Sequence, residues 1–223
     1  DRKILINKFL SSFSNISEIS TNDAMEYIIF ISIKNSSKNN AITVLRTFYG
    51  WALTKGYVKE NIWVGFSRIK EPVRLPKALS IIDLEKIRNA CENIRDRALI
   101  EVMYSTGARL SEIAGAKLSS LNIDQGTLTV IGKGDKERIT FLSQKCLYYL
   151  QIYLSQRGVD SEYLFVSLKK PHGKLSNRAI QKVLENISVK TNISKKLTPH
   201  VLRHTFATLS HEAGMELSDI QDA

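Results

Sequence analysis

His200 and Arg203 stand three residues apart in the stretch T-P-H-V-L-R-H-T-F-A-T, Thr198–Thr208. Residues at i and i+3 lie side by side on a helix, so an imidazole and a guanidinium would point the same way. A guanidinium grips two oxygens of a phosphate in a planar fork, and an imidazole exchanges a proton near neutral pH. Together they suit a phosphodiester. Amphipathic helices also carry such pairs by chance, so this one needs support from elsewhere in the chain.

Two further stretches carry side chains of the same kind. In T-G-A-R-L-S-E-I, Thr106–Ile113, Arg109 and Glu112 are again three apart, which brings guanidinium and carboxylate within reach and fixes the Arg109 rotamer. Taken alone, that is an ordinary structural ion pair. In G-K-G-D-K-E-R, Gly132–Arg138, Lys133 sits between two glycines that leave it free to reach outward over a ligand. Exposed turn lysines are common as well. The chain has no G-x-x-x-x-G-K-[ST] loop, which argues against ATP use. His200, His204 and His211 fall near one side of a helix, but no carboxylate or fourth ligand is spaced with them as zinc requires. Neither metal nor other cofactor is expected.

Each of these side chains needs an element to aim it. Thr198 is placed to cap a helix and Pro199 to occupy its first turn, with Leu202, Phe206 and Leu209 as its apolar face. Gly107 ends a helix that runs from Asp96 to Ser105, and Arg109 and Glu112 begin a short new one. From Thr127 to Leu142 the period changes to two, T-L-T-V-I-G and E-R-I-T-F-L around K-G-D-K, which is a β-hairpin with Lys133 at its turn. Ser80 with Asp83 opens another helix, and helices are expected over Gln144–Gln156 and Asn177–Val189 with a strand-like Tyr163–Val166 between them.

The first third of the chain is helical in pattern: Arg2–Phe13, Asp23–Ile33 behind the capping candidates Thr21 and Asn22, and Asn39–Thr54 ended by Gly56. In the third run Ile42, Leu45, Phe48, Tyr49 and Ala52 form one stripe, leaving Lys38, Arg46 and Lys55 outside it. The segment R-I-K-E-P-V-R-L-P-K, Arg68–Lys77, holds two prolines and four basic side chains and reads as an extended linker. The expected layout is a helical domain at 1–70, a basic linker at 71–78 and a second domain at 79–223.

The length of 223 residues and 43% hydrophobic content suffice for two cores. A net charge of +10 favours polyanionic partners, nucleic acid first. Both parts contribute, since residues 1–77 carry 12 Lys+Arg against 6 Asp+Glu and the remainder 20 against 16. No apolar run approaches membrane-spanning length and no secretory leader opens the chain, so a cytoplasmic protein is expected. Cys91 and Cys146 are expected to be buried, reduced and inert.

The three motifs, in this order and at this spacing, resemble those of the tyrosine recombinase (phage integrase) family, most closely its Xer-type chromosome-resolution members. The likeness covers about Leu79 to Ala223 and, more loosely, the helical part before it, which is placed like the family's core-binding domain. It implies a mainly α fold with a small antiparallel β-sheet: a helical DNA clamp joined to a mostly helical catalytic domain. By motif position Arg109 and Arg203 match the arginines that clamp the scissile phosphate. Lys133 matches the general acid on the leaving 5′ oxygen, His200 a residue that assists proton transfer, and Glu112 an acid that supports the first arginine. Site-specific cutting and rejoining of double-stranded DNA through a 3′-phosphotyrosyl intermediate would follow, either for chromosome dimer resolution or for integration, by a tetramer around two duplexes. Arg46, Lys55, Arg74, Lys77, Lys136 and Lys170 are the candidate contacts to the duplex.

The sequence departs from the family pattern in one respect. The family's nucleophilic tyrosine follows the H-x-x-R helix, whereas all eight tyrosines here, Tyr163 being the last, precede Arg203. The expectation is that the parent enzyme is longer and that these 223 residues alone do not cleave. A non-catalytic, sequence-specific DNA-binding accessory protein is the alternative. A type IB topoisomerase would share the chemistry, but the short Xer-like layout argues against it.

Overall fold

The computed structural model describes residues 2–71, 78–132, 134–216 and 218–219. Lys133, Arg74 and Lys77 lie outside the described residues. The chain divides into two compact units, Asp1–Arg74 and Leu75–Ala223. The architecture is mainly helical with one small antiparallel sheet, the class expected from the sequence.

The first unit holds α1 (Arg2–Leu10), α2 (Thr21–Phe30) and α3 (Asn35–Thr54). The Ser20 hydroxyl accepts from the Asp23 N–H while the Asp23 carboxylate accepts from the Ser20 N–H, a reciprocal cap one residue before the expected candidates Thr21 and Asn22, so α2 starts at Thr21 rather than Asp23. An aromatic cluster fills the core. The Phe9 ring meets Tyr27 at 4.9 Å, Trp63 at 5.3 Å and Tyr49 at 6.2 Å, mostly edge to face. Ile42, Leu45, Tyr49 and Ala52 of the expected α3 stripe are buried, and Phe48 packs at the cluster's edge.

The second unit is built on α5 (Ile94–Thr106), whose Ala98, Leu99, Ile100 and Val102 are fully buried. Around it stand α4 (Ile81–Asn89), α6 (Leu110–Gly115), α7 (Gln144–Gln156), α8 (Asn177–Thr191) and α9 (Pro199–Glu212). The buried Glu101 carboxylate is held by Arg88 at 2.8 Å and Arg97 at 3.0 Å, which supplies the partners a charge needs away from water. The sheet runs β1 (Leu121–Asn122), β2 (Thr127–Ile131), β3 (Glu137–Phe141), antiparallel throughout. The two-residue β1 has no counterpart in the sequence reading. The segment expected to be strand-like, Tyr163–Val166, makes only the single bridges Lys117↔Tyr163 and Val166↔Lys174. Among the described residues no helix is long and apolar enough to cross a membrane.

Candidate active site

Thr198 accepts from the Val201 N–H at 3.2 Å and Pro199 takes the first turn, so α9 starts as its sequence dictates. Its buried face, however, is Val201, Leu202 and Thr205, with Phe206 and Leu209 only half-buried. Thr205 is tolerated inside because its hydroxyl donates to the Val201 carbonyl at 2.8 Å and accepts from the Leu79 N–H at 2.9 Å. Phe206 lies instead over Gly107, the left-handed residue (φ 57°) that ends α5. That contact brings the end of α5 against α9, and the Arg203 guanidinium donates to the Gly107 carbonyl.

Immediately after this turn, Arg109 caps α6. Glu112 at the third helical position closes on it twice: Oε2 accepts from the Arg109 N–H at 2.7 Å and Oε1 from Nη1 at 2.9 Å. Oε2 also accepts from Arg138 Nη2, at 2.7 Å. Glu112 is therefore a buried carboxylate gripped from α6 and from β3. Burial works to raise its pKa, but the Arg109 N–H, the Arg109 guanidinium and the charge of Arg138 outweigh it and hold the carboxyl below its usual value. Burial, together with Arg109 and Arg138, presses the Arg203 pKa down, with Glu112 opposing. An arginine so shifted still keeps its proton at neutral pH. Three guanidiniums around one carboxylate leave a net positive site for an anion.

His200, Arg203 and Arg109 line one cavity of about 700 Å³. His200 is exposed at the start of α9, and the Arg109 side chain is 57% exposed, so both are open to a large ligand. Arg178, Gln181 and Lys182 from α8 and Lys196 from the following loop form another part of its wall. The structure thus brings together Arg109, Glu112, His200 and Arg203, four of the five residues singled out from sequence. Of the turn that carries the fifth, the structure describes the base: the Gly132 N–H donates to the Lys136 carbonyl at 2.8 Å, and a Cβ on Gly132 would sit 3.4 Å from Glu112 Oε1.

Among the candidate duplex contacts, Lys55, Lys136 and Lys170 are exposed. Arg46 is not a free surface cation. Its Nε donates to the Trp63 carbonyl at 3.0 Å and its Nη2 to the Phe66 carbonyl at 2.5 Å, which engages the guanidinium in holding the segment after α3. Among the described residues no three His, Cys, Asp or Glu side chains gather as metal ligands would.

Sequence reasoning assigned no role to Arg138 or to the α8 wall. The signal for Arg138 was the two-residue period of β3, where Arg138 and Thr140 turn inward while Glu137, Ile139 and Phe141 face out. For α8 it was Arg178, Gln181, Lys182 and Glu185 at i, i+3, i+4, i+7, opposite the buried Ile180, Leu184 and Ile187.

Residues 77–223 match the model of the phage integrase family. Over 222 residues the chain is 36% identical to the tyrosine recombinase XerC of Leptospira interrogans, an alignment covering 93% of this chain and 71% of that protein. Among solved structures, the crystal structure of XerA recombinase matches at 28% identity with a TM-score of 0.62, covering 99% of this chain and 79% of that one. A lambda integrase tetramer bound to a Holliday junction matches in fold, with a TM-score of 0.81 at 18% identity, over 99% of this chain and 68% of that one.

Proposed function

The chain belongs to the phage integrase family, and on that premise we propose that it serves site-specific DNA recombination, cutting and rejoining strands at a defined core site. The observation that carries this reading is the convergence of Arg109, Arg203 and His200 on one open cavity, with Glu112 beneath Arg109.

In this reading Arg109 and Arg203 clamp the two non-bridging oxygens of the scissile phosphate and offset the charge that grows as phosphorus becomes five-coordinate. A tyrosine hydroxyl attacks phosphorus and gives up its proton to solvent with His200 assisting, the bond from phosphorus to the 5′ oxygen breaks, and Lys133 gives that oxygen its proton. His200 hydrogen-bonds the phosphate and assists proton transfer. The phosphotyrosyl bond keeps the energy of the bond it replaces, so rejoining needs no cofactor. None of the eight tyrosines lines the cavity; the nucleophile of this reading is a tyrosine outside this sequence, and the 223 residues alone bind DNA without cleaving it.

The helical part at 1–70 acts as a clamp on the duplex, residues 71–78 as a basic linker, and 79–223 as the catalytic domain, with Lys55, Arg74, Lys77, Lys136 and Lys170 on the phosphate backbone. By its likeness to the lambda integrase tetramer on a Holliday junction, the working assembly is a tetramer on two duplexes in the cytoplasm, where chromosomal DNA lies.

The test is incubation of the full-length protein with a nicked duplex bearing its site, followed by denaturing electrophoresis. A DNA-linked species that disappears on Arg203→Ala and on Tyr→Phe at the nucleophile is the expected outcome. Salt-sensitive, reversible binding with no linked species would leave a non-catalytic DNA-binding accessory protein.

A further inference from the structure

Arg138 has no part in the mechanism above, yet it is placed as though it had. Its side chain is 19% exposed, and Nη2 donates to Glu112 Oε2 at 2.7 Å. Its other terminal nitrogen, Nη1, is buried with no hydrogen-bond partner among the described residues. Leaving a guanidinium N–H unpaired inside a protein costs free energy, and a purely structural arginine is normally satisfied all round. Arg157 donates with all three nitrogens, to the carbonyls of Val159, Ser161, Tyr163 and Leu164, whereas Arg88, on the buried Glu101, also leaves its Nε unpaired among the described residues. Arg138 differs from Arg88 in that its carboxylate also holds a residue that lines the cavity.

The same carboxylate oxygen that takes Arg138 also takes the Arg109 N–H, while its twin takes the Arg109 guanidinium. Arg109 holds both oxygens, but from only three residues away and through a side chain that is itself 57% exposed; Arg138 adds a bond from a separate element, β3. The strand side is itself fixed, since Arg138 pairs across the hairpin with the buried Val130 and its neighbour Thr140 donates to the Leu128 carbonyl at 2.7 Å. β3 thus anchors Arg138, Arg138 anchors Glu112, and Glu112 orients Arg109 towards the cavity.

We propose that Arg138 is a positioning residue for the phosphodiester site, acting through Glu112 to hold the Arg109 guanidinium in the geometry that receives a phosphate. The proposal rests on the phosphodiester reading of the site but has its own readout. Preorganising a cation matters because orientation fixed before binding need not be imposed during it.

The experiment uses side-chain NMR of the 223-residue protein, following the Nε–H groups of Arg109 and Arg203, with dimethyl phosphate as the anionic probe and trimethyl phosphate as its neutral control. In the wild type, Arg109 Nε–H is expected to be rigid and to shift on titration with dimethyl phosphate only. Arg138→Gln should make it mobile and weaken dimethyl phosphate by about threefold to tenfold, in the lower part of the range for members of one ionic network because Arg138 acts through Glu112. The Arg203 signal should change little, and the loss of affinity, measured well below the unfolding midpoint, should persist in protein that is fully folded although breaking the buried pair lowers that midpoint. Arg138→Lys, which keeps the charge, should restore part of the affinity. Glu112→Gln should resemble Arg138→Gln, and the double variant should be no worse than either.

An Arg109 that stays rigid in Arg138→Gln, or losses that multiply in the double variant, would overturn the proposal. So would a loss in Arg138→Gln that merely follows its unfolding and that Arg138→Lys does not restore. Should Arg109 become mobile as expected while the wild type fails to distinguish the two probes, the coupling stands and the phosphodiester reading of the site falls.

Discussion

The Gly107 carbonyl accepts from the Arg203 guanidinium while the Gly107 α-carbon faces the ring of Phe206, one helical turn further along α9. A β-carbon on Gly107 would come within 2.9 Å of Phe206 Cε1 and nearer still to Cδ1. The residue that ends α5 is thus also the surface against which the Arg203 helix is set.

Gly107→Ala is therefore expected to do two things at once. The left-handed backbone, φ 57°, costs a β-carbon about 1–3 kcal/mol, and the clash with Phe206 pushes α9 away and carries Arg203 with it. Denaturant unfolding should show the loss of stability. The double variant Gly107→Ala with Phe206→Ala should recover the clash but not the backbone strain. A fully additive pair would show that ring and glycine are not in contact.

Glu112 gives a pH dependence with a definite sign. Its native pKa lies below the unfolded value of about 4.3, so the ionised carboxylate stabilises the fold fully above that value and is lost as pH falls through the native one. Glu112→Gln leaves Arg138 without its anion and should cost about 3 kcal/mol at pH 7, the low end for a broken buried pair because Arg109 is half exposed. The gap between wild type and variant, measured by urea unfolding, should hold from pH 7 to 5, begin to shrink below the unfolded value of about 4.3 and close only below the lower native one. A gap that widens on acidification would mean that Glu112 is protonated in the native state.

The two thiols should be unreactive in the folded protein. Burial pushes Cys91 and Cys146 up to about 12, although Cys91 is only half-buried, with its thiol on the Ile87 carbonyl. Only the thiolate attacks alkylating reagents. Iodoacetamide at pH 8 should label neither until denaturant is added, as read by intact mass. Rapid labelling of Cys91 in the native state would show that the segment just after α4 opens far more readily than α4 itself.

How much of this was legible before folding varied with the range of the interactions. The α9 cap, the hairpin, the Gly107 break and the Arg109–Glu112 pair are set by neighbours a few residues apart, and spacing revealed them. The buried face of α9 was misread because Thr205 is satisfied by the Leu79 N–H, 126 residues away, and no local pattern announces such a partner. Phe206 was expected in the core and instead covers a glycine. The length of β1 was below any detectable period. Arg138 lay in plain view on the inward phase of β3, but its meaning depends on a carboxylate 26 residues earlier.

Arg46 and Lys55 looked alike in the sequence, two cations off the apolar stripe of α3, and the structure separates them. Arg46 holds the Trp63 and Phe66 carbonyls, and Asn61 Nδ2 donates to the Arg46 carbonyl at 2.9 Å. Its removal leaves the Trp63 and Phe66 carbonyls without that donor, at about 3 kcal/mol or more for two hydrogen bonds to a charged group. Arg46→Ala should therefore lower the unfolding midpoint and reduce DNA binding only in proportion to the folded fraction. Lys55 is exposed just past the end of α3. Lys55→Ala should leave stability within about 0.5 kcal/mol. If Lys55 meets a phosphate, the slope of log binding constant against log salt should fall by about one for Lys55→Ala. An unchanged slope for Lys55→Ala would remove it from the duplex contacts, and a reduced slope for a fully folded Arg46→Ala would show that Arg46 lets go of its carbonyls to reach DNA.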